Sequence, residues 1–224
     1  MWIPTRVVSA AAVVMLVLGA CGGEEGLTPA PTLGPGAETP GAAIEELVVF
    51  LKQPDFGAAA SLIVPGQSAL AALSEGATTS QVASALENGD IEIASNFWSG
   101  FAQGLGSLLD GEFVTGSGVS EVVDGVEFHI IELGPASGDS QRVALRDVDG
   151  WRIDLFASFG GTLAERMTPP VELLLTSSQP EATQVLLGLR DVVPSLKLAL
   201  AEPGLSAPAA QALASLIEMA TRLD

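Results

Sequence analysis

Apolar residues at helical spacing dominate the pattern after residue 41. They recur at i, i+3, i+4 and i+7 from Ile44 to Leu51, and Thr39-Pro40 before them is typical of a helix N-cap followed by its first residue. Asp55 is a second N-cap candidate, and Pro65-Gly66 predicts the end of the helix that Asp55 starts. The pattern therefore predicts an amphipathic helix followed by a short one.

Three more helices are predicted before the pattern changes. Two are short, over residues 68–74 and 81–88, and Ser80 is the expected cap of the second. The third spans residues 91–109 and is expected to lie in the core. A glycine costs about 1 kcal/mol relative to alanine inside a helix, so Gly100 there favours close packing of the backbone.

From residue 112 the hydrophobic period switches to two, which predicts antiparallel strands. The clearest pair is a hairpin around Asp149-Gly150. A two-residue turn would pair Val148 with Trp151, whereas a three-residue loop with a left-handed Gly150 pairs Asp147 with Trp151. The second register is favoured because it brings five apolar side chains onto one face, namely Val143, Leu145, Trp151, Ile153 and Leu155.

Beyond Phe159 the pattern becomes helical again. Ser178 and Glu181 have the spacing of a capping box at the start of a helix. Pro194 is expected to kink or split that helix, and Pro203-Gly204 separates it from a last one. Neither helix is expected to be stable alone, so the two are predicted to pack on each other and on the preceding domain.

The expected fold class is α+β, with N-terminal helices packed on a curved antiparallel sheet and a C-terminal helical extension. Residues 42–158 are the expected α+β domain and residues 159–224 the extension. Residues 1–20 are the expected signal peptide, and residues 21–41 the expected lipidated cysteine and disordered tether. The tether is predicted from its proline and glycine content and from its lack of apolar periodicity.

The amino terminus has the order of an export signal. Arg6 is followed by a twelve-residue apolar stretch, which is too short to span a bilayer. Leu18, Gly19 and Ala20 then precede Cys21 and resemble a bacterial lipobox, which implies cleavage before Cys21 and a diacylglycerol attached to its thiol. Ordinary secretory cleavage beside an incidental cysteine is the alternative. Two or three acyl chains would hold the protein stably on a membrane outside the cytoplasm.

Composition limits the possible partners. The formal charge is −18, which excludes a nucleic-acid binder, and 48% of the residues are hydrophobic, which excludes a disordered acidic chain. The expected partners are the membrane, through the lipid on Cys21, and an envelope protein or a small apolar ligand. Cys21 is the only cysteine, so no internal disulfide can form.

Helices followed by strands and a hairpin resemble the cone-shaped nuclear transport factor 2-like fold. The resemblance covers about residues 42–158 and is carried by two groups of residues. They are the helix pair Ile44–Val64, with its Asp55-Phe56-Gly57-Ala58-Ala59 connection, and the hairpin Val143–Leu155. The isomerases of this fold use an acidic base and a tyrosine. This chain has no tyrosine, so their usual chemistry is not expected.

No phosphate loop, nucleotide-binding fingerprint, serine-hydrolase elbow or metal-ligand motif occurs in the sequence, and no cofactor is implied. The one candidate for acid/base chemistry is His129, two residues from Glu127 and therefore about 6.6 Å from it on the same strand face. A half-exposed structural histidine is the favoured interpretation. Asp147 and Asp149 begin like a calcium loop, but Ser158 stands where the loop needs a glutamate.

Three functions remain open. The favoured one is a non-enzymatic lipoprotein that binds a small apolar ligand or a protein partner. The alternatives are a cone-fold enzyme that uses His129 as general base, and a structural component of the envelope. In the first case seven apolar side chains are expected to line the ligand pocket, namely Trp98, Phe101, Phe128, Ile130, Leu145, Ile153 and Leu155. They could equally fill a core.

Overall fold

The computed structural model describes residues 34–53, 55–89, 92–104, 113–115, 118–135 and 140–222. The predicted signal peptide, the lipobox Leu18-Gly19-Ala20 and Cys21 lie outside these residues. The same holds for both ends of the predicted helix over residues 91–109. No helix among the described residues is long and apolar enough to cross a membrane.

The N-terminal part is a layer of helices, as the apolar spacing predicts. The described helices are α1 Pro40–Lys52, α2 Phe56–Ser61, α3 Gln67–Ala71, α4 Thr79–Asn88 and α5 Ser95–Gly104, with short 3₁₀ turns at Ala72–Glu75 and Glu92–Ala94. The predicted caps of the first two are confirmed. The side chain of Thr39 accepts from the Ala42 N–H, and that of Asp55 accepts from the Ala58 N–H.

Helix α4 begins two residues earlier than predicted. The N-cap is Thr78 and not Ser80, because Thr78 and Gln81 form a capping box in which each side chain meets the other residue's backbone N–H. The predicted end of this helix is confirmed, since Gly89 has a left-handed backbone with φ 68°. Gln81, three residues after Thr78, supplies the second half of the box, and the prediction of Ser80 overlooked it.

An antiparallel sheet follows, with strands β1 Phe113–Thr115, β2 Val119–Val123, β3 Val126–Pro135, β4 Gln141–Asp147 and β5 Trp151–Ile153. β3 pairs with β4 along one edge and with both β1 and β2 along the other. The hairpin register is as predicted: Asp147 pairs with Trp151, and Gly150 is left-handed with φ 96°. The sheet is uncurled, whereas a curved one was expected.

The two faces of the sheet carry different side chains, and one grouping expected from the sequence is wrong. Ile130 lies opposite Ala144 and His129 opposite Leu145, so Phe128 and Ile130 lie on the face away from Leu145 and Ile153. The residues of that second face pack with Ala157 and Leu198 in a small separate cluster. A one-residue difference in pairing exchanges the faces of a strand, and the pairing of β3 with β4 was not derivable from either strand alone.

Residues 34–37, called the strap below, dock on the β4–β5 hairpin. The Gly36 N–H donates to Asp149 O at 2.7 Å, and Ala37 exchanges hydrogen bonds with Trp151 at 2.8 and 3.0 Å. A Cβ on Gly36 would lie 2.6 Å from the backbone of Gly150, so the two chains touch where both residues are glycine. Residues 34–41, which were assigned to the tether, therefore belong to the fold.

The second half of the chain is helical, with α6 Leu155–Leu175, α7 Pro180–Asp191, α8 Val193–Leu200 and α9 Ala207–Thr221. Helix α6 crosses the expected unit boundary between residues 158 and 159. Leu155, expected on the sheet, is its first residue, because Asp154 caps the helix directly after β5. Helices α7 and α8 are separate around Pro194, as predicted.

The predicted capping box at Ser178 is wrong. Helix α7 begins at Pro180, so its N-cap is Gln179, and no side chain caps it. Proline fits the first position of a helix because its nitrogen has no hydrogen to satisfy. That preference shifts the start by one residue and takes Ser178 out of the capping position.

One large buried cluster joins the helices to the inner face of the sheet. It includes Ile44 from α1, Leu145 and Ile153 from the sheet, Met167 from α6 and Leu213 from α9. The α+β fold class is confirmed, and helices both precede and follow the strands in the sequence. Both expected units contribute to the same core.

Candidate functional site

Six of the seven residues expected to line a ligand pocket are core residues. Trp98, Leu145, Ile153 and Leu155 are buried in the large cluster, and Phe128 and Ile130 in the small one. Phe101 alone of the seven is half-buried, and it lines a cavity. The expected pocket is therefore filled at its predicted place, and the cavity lies beside it.

This cavity, called the aromatic cavity below, has a volume of about 360 Å³. It lies between α5 and α6, and its apolar wall consists of Phe97, Phe101, Phe159 and Leu163. Its polar rim includes Gln141 from the start of β4 and Arg166 and Glu75, which form an ion pair at 2.8 Å. An apolar wall with a few polar groups at the rim is typical of small-molecule sites.

Helical spacing builds the aromatic wall. Phe97 and Phe101 are one turn apart on α5, and their rings stack with centroids 5.6 Å apart. Phe159 comes from the second turn of α6 and meets Phe101 edge-to-face at 4.8 Å. Phe101 was predicted to line a pocket, whereas Phe97 and Phe159 were not, although the i, i+4 spacing of Phe97 and Phe101 is visible in the sequence.

Gly100 is an exposed residue of α5 that lines the aromatic cavity. A Cβ built on this residue meets no other atom within 4 Å, so the close packing expected at Gly100 is wrong. A helix interior normally disfavours glycine by about 1 kcal/mol relative to alanine. The missing side chain leaves space in the cavity and brings no neighbouring backbone closer.

A second, more polar cavity of about 460 Å³ adjoins the first and is called the polar cavity below. Gln141, Phe159, Thr162 and Arg166 line both cavities, so the two lie side by side, and the pair is called the groove below. The remaining wall of the polar cavity comes from α6 and from the turn before α9, including Glu165, Glu202, Leu205 and Ser206. Burial raises the pKa of Glu202 above its ordinary value, as does nearby Glu132, against the opposing effect of Arg142.

His129 lines a different cavity, of about 460 Å³, on the other side of the hairpin from the groove. Glu127, Arg146, Asp147 and Trp151 line it too. The imidazole packs edge-to-face on Trp151 with ring centroids 5.5 Å apart. Neither the His129 nor the Glu127 side chain makes a hydrogen bond or ion pair with another described residue, so the side chains around His129 that the structure describes do not orient the imidazole as a base.

A buried polar cluster around Asp154 was not predicted. One carboxylate oxygen accepts from the Ala157 N–H at 2.9 Å and caps α6; the other accepts from Ser195 Oγ at 2.7 Å and lies 3.6 Å from Arg146. Gln67 lies beside it and accepts from the Leu155 N–H at 2.6 Å. Burial raises the pKa of Asp154, and these contacts oppose the rise. The cluster joins the sheet, α3, α6 and α8; Arg146 also lines the His129 cavity, whereas Asp154, Ser195 and Gln67 line none of the cavities above.

Within the described part of the chain, no group of three histidine, cysteine or acidic residues could hold a metal ion. No family model, curated protein or solved structure matches the chain. The candidate site therefore depends on geometry alone, and the groove is the feature that combines space, an apolar wall and polar groups.

Proposed function

We propose that the chain is a membrane-anchored extracytoplasmic lipoprotein whose folded part binds a small ligand in the aromatic cavity without catalysing a reaction. The observation that carries the binding proposal is a cavity lined by three phenylalanine rings and by Gly100, which has no side chain to fill it. Cys21, behind the lipobox, is the proposed acyl attachment point. An apolar group placed on the rings leaves water without any new polar group being buried.

The position of the strap suits this proposal. The described fold begins at Gly34 beside the hairpin, whereas Gln141, which lines the groove, lies at the opposite end of β4. Six residues of extended strand separate the two ends of β4, which is about 20 Å. The groove and the strap therefore lie at opposite ends of β4.

The favoured test fills the cavity. In the chain from residue 21 with Cys21→Ser, which retains every described residue, Gly100→Leu is expected to weaken binding of the neutral probe N-phenyl-1-naphthylamine at least about tenfold. Each buried methylene contributes about 0.8 kcal/mol, and the leucine would occupy the space of several. Probe fluorescence measures the affinity.

The matched control is Gly41→Leu on α1, where an added Cβ also meets no atom within 4 Å and which lies outside the groove. Its affinity for the probe should equal that of the parent chain. Equal affinity in all three proteins would refute the aromatic cavity as the binding site. The Gly100 variant should unfold no more easily than the parent, since a helix interior disfavours glycine.

An enzyme that uses His129 is the second candidate, because His129 lines a cavity together with two carboxylates and Arg146. The proposed binding function does not involve this cavity. His129→Gln should therefore leave probe affinity unchanged, whereas a loss would move the ligand site to the other side of the hairpin.

A further inference from the structure

We infer that the ligand of the groove is a small amphipathic organic cation, with its apolar part in the aromatic cavity and its charged end in the polar cavity. The inference rests on the proposed function, since it assigns the chemical class of ligand for that same site. The aromatic cavity defines the site, and the charges of the adjoining cavity select the ligand.

The groove is long enough for a ligand with two different ends. The two cavities have volumes of about 360 and 460 Å³ and share the lining residues Gln141 and Thr162, so they lie side by side. Phe159 contributes to both and marks the change from apolar to polar lining. An alkyl or aryl group on the phenylalanines would therefore extend directly toward Glu165 and Glu202.

The charges of the polar cavity favour a cation. Glu165 and Glu202 make no ion pair with a described residue, whereas the one cation that lines the groove, Arg166, is already paired with Glu75 at 2.8 Å. Just outside, Arg142 and Glu132 act on Glu202 with opposite signs. Among the described residues, Glu165 and Glu202 thus have no ion-pair partner, and the lining of the groove offers no unpaired guanidinium for an anionic head group.

The raised pKa of Glu202 also favours a positively charged ligand. Its pKa is raised, chiefly because the carboxylate is partly removed from water. A bound ammonium group would replace the lost hydration with a direct charge contact. The formal charge of −18 over the whole chain adds a field that attracts cations and repels anions.

The test uses three probes of equal length: octylammonium, 1-octanol and octanoate. Each displaces N-phenyl-1-naphthylamine from the chain from residue 21 with Cys21→Ser, and the displacing concentration is measured at low salt. Octylammonium is expected to bind tightest, at least about fivefold better than octanol per engaged carboxylate, and octanoate weakest. Added salt should narrow the difference, because it screens exposed charges.

Glu165→Gln and Glu202→Gln, singly and together, keep the shape of the polar cavity and remove its charge. The double variant should bind octylammonium no better than octanol, with octanol binding unchanged. Glu46→Gln on the exposed face of α1 is the matched control and should leave all three affinities unchanged.

The outcomes separate this inference from the proposed function. If octanol binds in a Gly100-dependent way but octylammonium binds no better, or keeps its advantage in the double glutamine variant, the cation inference is overturned and the cavity remains. If none of the probes binds in a Gly100-dependent way, the cation inference and the proposed binding function are both refuted.

Discussion

Asp154 has more buried polar contacts than any other carboxylate described here. It caps α6 through Ala157, accepts from Ser195 on α8 and lies near Arg146 on β4, and its side chain is fully buried. A buried carboxylate is costly unless it is hydrogen-bonded and paired, and here both conditions are met. A short polar side chain thereby ties the sheet to two helices.

Asp154 is expected to make stability fall as pH rises. Burial raises its pKa, so the folded chain keeps this proton to a higher pH than the unfolded chain does. The stability linked to the proton is fully present below the ordinary pKa of 3.8 and is lost as pH rises through the folded value.

Asp154→Asn removes this titration and can still cap the helix. The free energy of unfolding of the variant minus that of the parent should therefore increase between pH 4 and pH 7, measured in urea. Asp55→Asn, at the exposed cap of α2, is the control. A difference for Asp154→Asn that stays constant over this range would show that the carboxylate titrates alike in both states.

At the scale of elements, the strap is the segment whose role the structure changes most. Arg152, itself buried, donates to the carbonyl oxygens of Gly34, Ser61 and Val148, so one guanidinium holds the strap, α2 and the hairpin loop together. Residues 62–64 cover the rest of the outer edge of β5 through hydrogen bonds with Ile153. The edge strand is thus protected from pairing with other chains.

Gly36→Ala is expected to lower the melting temperature by several degrees, because its Cβ would lie 2.6 Å from the Gly150 backbone, which cannot move aside as a flexible side chain could. Overpacking of this kind costs about 1–3 kcal/mol. Gly34→Ala is the control on the same strap, since its Cβ meets nothing within 4 Å. Thermal unfolding by circular dichroism would compare them; equal melting temperatures would mean that the strap is not held in solution.

At the scale of the whole molecule, the sheet separates two packed layers. The α1–α5 helices and much of α6 share the large core with one face, while Leu198 of α8 and Ala157 of α6 cover Phe128 on the other. The C-terminal helices therefore contribute to the same packed body as the sheet. The groove lies where α5, α6 and the turn before α9 meet the start of β4.

Membrane attachment is a prediction at this scale. The full chain, expressed in a bacterium with labelled palmitate, is expected to take up label and to partition with membranes, because Leu18-Gly19-Ala20-Cys21 matches a lipobox. Cys21→Ala should lose both properties. Label in the variant equal to that in the parent would contradict the proposed anchor and leave the groove unaffected.

The sequence by itself determined the local elements. Thr39, Asp55, Pro194 and the Asp149-Gly150 loop act through neighbours a few residues away, so helix starts, the α7–α8 break and the hairpin register followed from the chain alone. At α4, where Ser80 was predicted as the N-cap and Thr78 is the actual one, the predicted helix start was two residues late. The resemblance to the cone-shaped fold and the lipidation of Cys21 stay predictions.

Only the tertiary structure decided which elements meet. The pairing of β3 with β4, the docking of the strap and the meeting of Phe101 with Phe159 join residues that are far apart in sequence. Apolar periodicity shows that a side chain is buried but not what it is buried against, since the hydrophobic effect has no direction. For the same reason, six of the seven expected pocket residues became core, while Phe101 lines a cavity beside them together with Gly100.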